Sequence, residues 1–408
     1  MRTKFDLAIK NARLRRKPDG VYHIGITDGK IVSISKNDAA VAEVELDAES
    51  NLVTESFVNP HLHLDKVFTL DRLDELALEK YHQNQMTAAA TAIELASRVK
   101  TQYDRSWITE NVRIALRWAA AYGNTHIRAF ADVDNKARLE GVVALLELKE
   151  EFRKIVDIQV VAFPQDGVVK EPGADILVHE AMSMGADVVG GIPWIEHSDA
   201  DAQSHIDAMF SIATQFDAPI SMLVDDVGDA KLRTLEMLAM TTKKVSWEGR
   251  VLAHHARAMA LYPDSYHSDL VKLLKDNSIG IVTDPHTGPL HVRVKDLLEK
   301  EVLVCLGQDD ISDAYYPYGQ NNMLEVAFLA SHLLWMTTKV DMDCLYDMIT
   351  TSAAKAMGLA KHKLEVGSTA SLVVLDVPTT IESLRFHRAP KYVINHGRII
   401  AESGELVQ

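Results

Sequence analysis

The sequence predicts an α/β protein, a (β/α)8 TIM barrel with a small β-sandwich domain formed by both chain termini. Eight short apolar runs begin at residues 56, 125, 158, 187, 220, 250, 279 and 302, with amphipathic helical stretches between them. After the first gap, successive starts fall 23 to 33 residues apart, the span of one strand and its return helix. Parallel neighbours need such crossovers, and eight of them suggest a closed barrel. Both ends of the chain carry a different texture, short strands punctuated by turns.

At the amino end, 6–14 alternates apolar and polar residues, and a charged turn at 15–20 precedes the run 21–26. Asp28-Gly29 is a hairpin signal, and 30–35 follows it with period two. The barrel strands are expected at 56–61, 125–130, 158–163, 187–191, 220–224, 250–254, 279–283 and 302–306. Helical patterns lie between them at 136–152, where Leu139, Val142, Val143, Leu146 and Phe152 share a face, and at 202–216 and 269–275. The first gap, 69 residues long, holds an extra helical insert from about 70 to 99, expected to cover the barrel mouth as a lid. Strands return at 370–375, 391–396 and 398–401. The expected division is a β-domain of 1–55 plus 361–408 and a barrel of 56–360.

The chain has 408 residues, 47% apolar and 25% charged, enough for a large core without disulfides or metals as staples. A formal net charge of -15 repels phosphate backbones, so no nucleic-acid partner is expected. Cys305 and Cys344 are far apart in apolar settings, as buried small hydrophobes in a reducing compartment would be. The first residues lack a signal-peptide core, and no apolar run nears the ~18 residues that cross a bilayer. A cytoplasmic protein with no membrane partner is the expectation.

In such barrels chemistry gathers at the carboxyl ends of the strands. The stretch Phe57-Val-Asn-Pro-His-Leu-His-Leu-Asp-Lys66 runs out of the first strand and delivers His61 and His63. Alternate strand residues share a side, so the two imidazoles can converge on one ion. Gln165 follows the third strand, Asp225 and Asp226 end the fifth, His254 and His255 the sixth, and Asp309 and Asp310 the eighth. Imidazoles with a carboxylate bind one divalent cation, zinc or iron, and leave a position for water. The cation brings that water's pKa toward ~7, and a second carboxylate can pass the proton to a leaving group. Metal-assisted hydrolysis of a C–N bond is the reaction class. No nucleophile elbow, Walker loop or dinucleotide fingerprint competes, and the glycines of 185–191 fit a tight helix–strand junction.

Blander readings stand beside these. Asp309-Asp310 and Asp225-Asp226 could open the following helices. Strand register decides between His254 and His255, and His255 is favoured. His286 and His291 belong to a loop near substrate, and Lys66, Trp194, Glu196 and Asp313 are further candidates to line a pocket.

The residues resemble the amidohydrolase superfamily, within it the bacterial cytosine deaminases and N-isopropylammelide amidohydrolase. The likeness runs through nearly the whole chain: 57–65, Asp157-Ile-Gln-Val-Val-Ala-Phe-Pro-Gln-Asp-Gly167, 185–193, Gly307-Gln-Asp-Asp-Ile-Ser-Asp313 onward to 324, and 394–400. The resemblance implies that His61, His63 and Asp309 ligate metal and that His255 faces the metal-bound hydroxide. It implies that Asp310 stands near the leaving group, that Gln165 holds a heterocycle edge, and that Tyr315 occupies a tryptophan's place in the pocket. Asp226 stands where the family keeps a glutamate proton shuttle. Such barrels commonly form homo-oligomers.

Two departures matter. Leu223 stands at the family's fifth-strand histidine ligand, and Phe130 where a second-strand histidine is expected. Asp225, two residues past Leu223, should point to the same side and could serve as an oxygen ligand. The leading expectation is a metal-dependent amidohydrolase that removes ammonia or an amine from a small nitrogen heterocycle. The alternatives are a cyclic-amide or side-chain amide hydrolase, and a metal-depleted barrel that only binds a ligand.

Overall fold

The computed structural model describes residues 4–36, 41–72, 79, 93–94 and 96–407. Five strands precede the barrel: β1 (Lys4–Leu14), β2 (Lys17–Thr27), β3 (Lys30–Ser35), β4 (Val41–Asp47) and β5 (Leu52–Glu55). The barrel strands are β6 (Phe57–Leu62), β7 (Asn124–Asp132), β8 (Asp157–Phe163) and β9 (Val188–Gly191). They continue as β10 (Ile220–Val224), β11 (Val251–His255), β12 (Gly280–Thr283) and β13 (Val304–Leu306). The chain ends with β14 (Leu372–Val374), β15 (Tyr392–Asn395), β16 (Arg398–Glu402) and β17 (Glu405–Leu406).

All eight barrel strands lie within two residues of their expected positions. They run in chain order, each parallel to the next. Strands covered on both faces read as continuous apolar runs, which is why the sequence marks them so clearly. The seam between β13 and β6 closes in an unusual place. The His63 amide donates to Asp309 O at 2.8 Å, and the Asp309 amide to His61 O at 3.0 Å. The barrel is thus shut by the backbone of its own candidate site.

Helices lie between successive strands. Arg105–Ala121 buries Ile108, Val112, Ala115, Leu116 and Ala119 and starts at Asp104, whose side chain accepts from the Ser106 amide. Asp199–Phe216 starts the same way at Ser198. No helix among the described residues is long and apolar enough to cross a membrane.

The two chain ends form one mixed nine-stranded sheet, in which β14 pairs with β5 and so joins carboxyl to amino end. β1 is long enough to pair with β4 through its first half and with β5 through its last residues. The sheet closes over a core of its own, with Ile9, Ile24, Ile26, Ile31, Leu372 and Ile394 fully buried. β4 and β5 left little trace in the sequence. Most β4 side chains are exposed, and β5 is four residues long. Most of the expected insert at 70–99 lies outside the described residues. Near its end, Ile93 and Ala96 pack against an apolar cluster that includes Phe130 and Leu223.

Candidate active site

His61, His255, Asp284 and Asp309 are all buried, and one donor atom of each lies within 4.8 Å of every other. His61 Nε2 is 2.9 Å from Asp309 Oδ1, with His255 Nε2 at 3.7 Å and His63 Nε2 at 3.9 Å from the same oxygen. Three imidazoles from two strands therefore face one carboxylate from the barrel seam. His63 also groups with Asp309 and Asp310. His255 and Asp309 have φ of 63° and 67°, left-handed backbone that costs energy in a non-glycine residue and clusters at functional sites.

Of the two neighbouring histidines, His255 reaches the carboxylates, 3.3 Å from Asp284 and 3.7 Å from Asp309. His254 packs its ring 4.6 Å from that of His61 and 5.1 Å from Phe130. Asp284 was absent from the sequence reading. Its only signal was its position directly after the seventh strand, in Thr-Asp-Pro-His.

Charge follows burial. Burial pushes His255 and His63 well below the usual imidazole range, keeping both neutral and able to coordinate. Burial would raise Asp309, but His255, His61 and His63 outweigh it and hold this carboxyl well below its ordinary range. Asp284 rises well above that range through burial and the Asp309 charge, opposed by Arg257. Asp310 rises likewise through burial, Asp309 and Asp313.

The other side of the mouth carries Gln165 and Tyr315 together: Gln165 Nε2 donates to the Tyr315 hydroxyl at 3.1 Å. The Lys66 ammonium donates to Gln165 Oε1 and, at 3.0 Å, to Asp132. Lys100 is shared among Asp134, Asp166 and Asp132 at 2.7, 2.8 and 3.1 Å. Burial works against both ammonium groups, but the Asp132 charge and its neighbours raise both. Sequence reasoning found Lys66 but missed Lys100, Asp132, Asp134 and Asp166, which meet only in the fold.

Asp225 does not reach the ion-binding group. The strand ends at Val224, Asp225 has φ 47°, and its side chain turns outward. There it accepts from the Thr234 amide and hydroxyl at 2.7 Å and from the Tyr262 hydroxyl at 2.6 Å. It organises the start of the next helix, as the blander reading had it. Asp226 does face inward, held 2.6 Å from Arg257 Nε. Burial, opposed by Arg257, pushes its carboxyl up to about 7. Arg257 also donates to Thr287 Oγ1 at 2.8 Å, which in turn donates to Asp309 Oδ2 at 2.7 Å. Leu223 and Phe130 fill the side between these two regions with apolar surface. His286 lies beside the site, its Nε2 3.1 Å from Gln308 O. Glu196 lies apart, accepting from the Val168 and Lys170 amides and paired with His205.

The donors present fit a divalent cation. Both oxygens of Asp284, Asp310 Oδ1 and the Nδ1 atoms of His61 and His63 are buried without a hydrogen-bond partner among the described residues. Such groups are costly unless something charged engages them. A mixed imidazole–carboxylate set suits zinc, iron or manganese.

Comparison with known proteins agrees. The profile of the amidohydrolase family matches residues 44–401. The chain is 30% identical, over the full length of both, to N-isopropylammelide isopropyl amidohydrolase of Pseudomonas sp. (strain ADP). The structure of 5-methylcytosine deaminase from Klebsiella pneumoniae liganded with 5-fluorocytosine superposes with a TM-score of 0.89 at 28% identity, covering 97% of each chain. N-isopropylammelide isopropylaminohydrolase from Burkholderia multivorans gives 0.86 at 25% identity, covering 99% of this chain and 100% of that one. With its barrel, its buried histidine–aspartate cluster and these likenesses, the chain belongs to the amidohydrolase family, hydrolases of carbon–nitrogen bonds other than peptide bonds.

Proposed function

We propose that this protein hydrolyses an exocyclic C–N bond of a small nitrogen heterocycle, releasing ammonia or an amine, with one divalent metal ion, zinc or iron. The observation that carries this reading is the meeting of His61, His63 and His255 on Asp309, with Gln165 and Tyr315 across the mouth. A bound cation would acidify a water and polarise the reacting group, and His61, His63 and Asp309 would hold it.

His255, neutral and buried, accepts a proton from the attacking water at Nε2, the ring nitrogen that faces Asp309. Asp310, adjacent to Asp309 in the chain, hydrogen-bonds the departing nitrogen. Asp226, steadied by Arg257, carries the proton on to the departing nitrogen, which leaves as ammonia or an amine. Gln165 and Tyr315 offer an amide and a hydroxyl to the edge of a planar ring, the pattern that fixes a heterocycle's orientation. The apolar wall of Phe130 and Leu223 excludes water and strengthens each of these interactions.

The test is metal analysis of purified protein, with ammonia and amine release measured across pyrimidines, triazines and pterins. Turnover by rigorously metal-free protein would overturn the reading. A second reading, hydrolysis of a cyclic or side-chain amide, draws support from Asp226, one methylene shorter than glutamate and held by Arg257. A ring-opened product in the same assay favours it.

A further inference from the structure

The ion-binding group draws on an unexpected carboxylate. Leu223 closes the fifth-strand side with hydrocarbon, and Asp225 beyond it has turned out of the barrel. Just past the seventh strand, Asp284 enters the group. Its side chain is fully buried, and Oδ2 lies 3.3 Å from His255 Nδ1.

Asp284 precedes the short 3-10 turn Pro285–Thr287, where an aspartate would ordinarily cap the first amides, yet its side chain makes no such bond. Neither oxygen has a partner at hydrogen-bonding geometry. The turn closes without it, because the Thr287 amide donates to the backbone carbonyl of Asp284 at 3.1 Å. The fold also makes room for the carboxylate. A Cβ at Gly307 would stand 2.3 Å from Asp284 Oδ1 and 2.7 Å from His61 Cβ. A side chain with no structural task, admitted through a gap only glycine leaves, points at a ligand.

We infer that Asp284 is a direct ligand of the metal, beside His61, His255 and Asp309. The inference rests on the metal-dependent reading above. A second carboxylate beside Asp309 makes the donor set more anionic and harder. Such a site favours manganese or ferrous iron more than an imidazole-rich one does.

The experiment loads the full-length protein with Mn2+, Zn2+ or Co2+ and measures affinity, metal content and the visible spectrum of the cobalt form. It compares wild type with Asp284→Asn. Asparagine keeps an oxygen that could accept from His255 Nδ1, so a residue that merely orients His255 tolerates the change, whereas a ligand does not. The expected result is a loss of affinity of about 100-fold or more, an altered cobalt spectrum, and metal-free protein that unfolds no earlier than wild type. Affinity within threefold of wild type would overturn the inference while leaving the proposed function intact. Wild type that binds none of these ions overturns both. Metal-loaded wild-type crystals read the same question without a variant. An Asp284 oxygen at about 2.0–2.2 Å from the ion supports direct ligation, and one beyond about 3 Å excludes it.

Discussion

Around β7 and β8, the buried ammonium groups of Lys66 and Lys100 are divided among Asp132, Asp134 and Asp166 at hydrogen-bonding distances. Around β6, β11, β12 and β13, Asp284, Asp309 and Asp310 stand against the imidazoles of His61, His63 and His255, with several oxygens unpartnered. The two sides of one barrel mouth contain similar residues at similar depth. In one, opposite charges satisfy each other and hold the loops in place. In the other, three carboxyls crowd together, two of them pushed well above the usual range and left with unpartnered oxygens, a cost that a bound cation would relieve. The first cluster satisfies itself, and the second is the candidate to hold an ion.

That contrast can be broken experimentally, beginning with its largest consequence. His61→Ala should lose its metal and reduce turnover to the uncatalysed background, while the metal-free protein unfolds close to wild type. Metal retained at full occupancy would show that the cluster is not the binding centre. Lys100→Met should do the opposite. Three buried carboxylates lose a shared cation, so stability should fall by about 3–5 kcal/mol in urea unfolding, with metal content per folded protein unchanged. A loss below about 1 kcal/mol would mean the lysine network is dispensable.

Asp226→Asn sharpens the boundary between the two sides, since Asp226 is paired to Arg257 yet lies beside Asp309. Turnover should drop roughly 10²–10⁴-fold with the metal still bound. Unchanged turnover removes Asp226 from the proton path.

The smallest effect concerns a third carboxylate, Glu196, at the end of the fourth strand's turn. Burial would raise it, but His205 and the Val168 and Lys170 amides outweigh burial and lower it from 4.5 to about 2. Its folded-state pKa is thus below its unfolded one. The stability it contributes is present above about pH 5 and is lost as pH falls toward 2. Glu196→Gln should cost about 1–3 kcal/mol at pH 7 and flatten the acid limb of an unfolding-midpoint profile. Parallel profiles for the two proteins would contradict this.

Much of the site was legible in order but not in orientation. His61, His63, His255 and Asp309 follow the rule that reactive groups sit at strand ends, and the structure brings them together. Asp225 shows where the rule stops. Period-two alternation carries a side chain to a given face only while the backbone stays extended. The left-handed φ of 47° at Asp225 ends that condition one residue after β10. Asp284 escaped notice for the converse reason. An Asp-Pro after a strand reads locally as a turn, and nothing nearby in sequence shows that its carboxylate caps nothing.

The strand–helix rhythm, the β character of both ends and the depth order of the polar residues were set by composition and spacing, because hydrophobic periodicity is a property of neighbouring residues. Which side chains face one another was settled only when β13 met β6 and the backbone of His61 and His63 bonded to that of Asp309 across some 250 positions. Convergence of that kind depends on barrel closure, strand length and the last φ of each strand, and no local pattern encodes their sum.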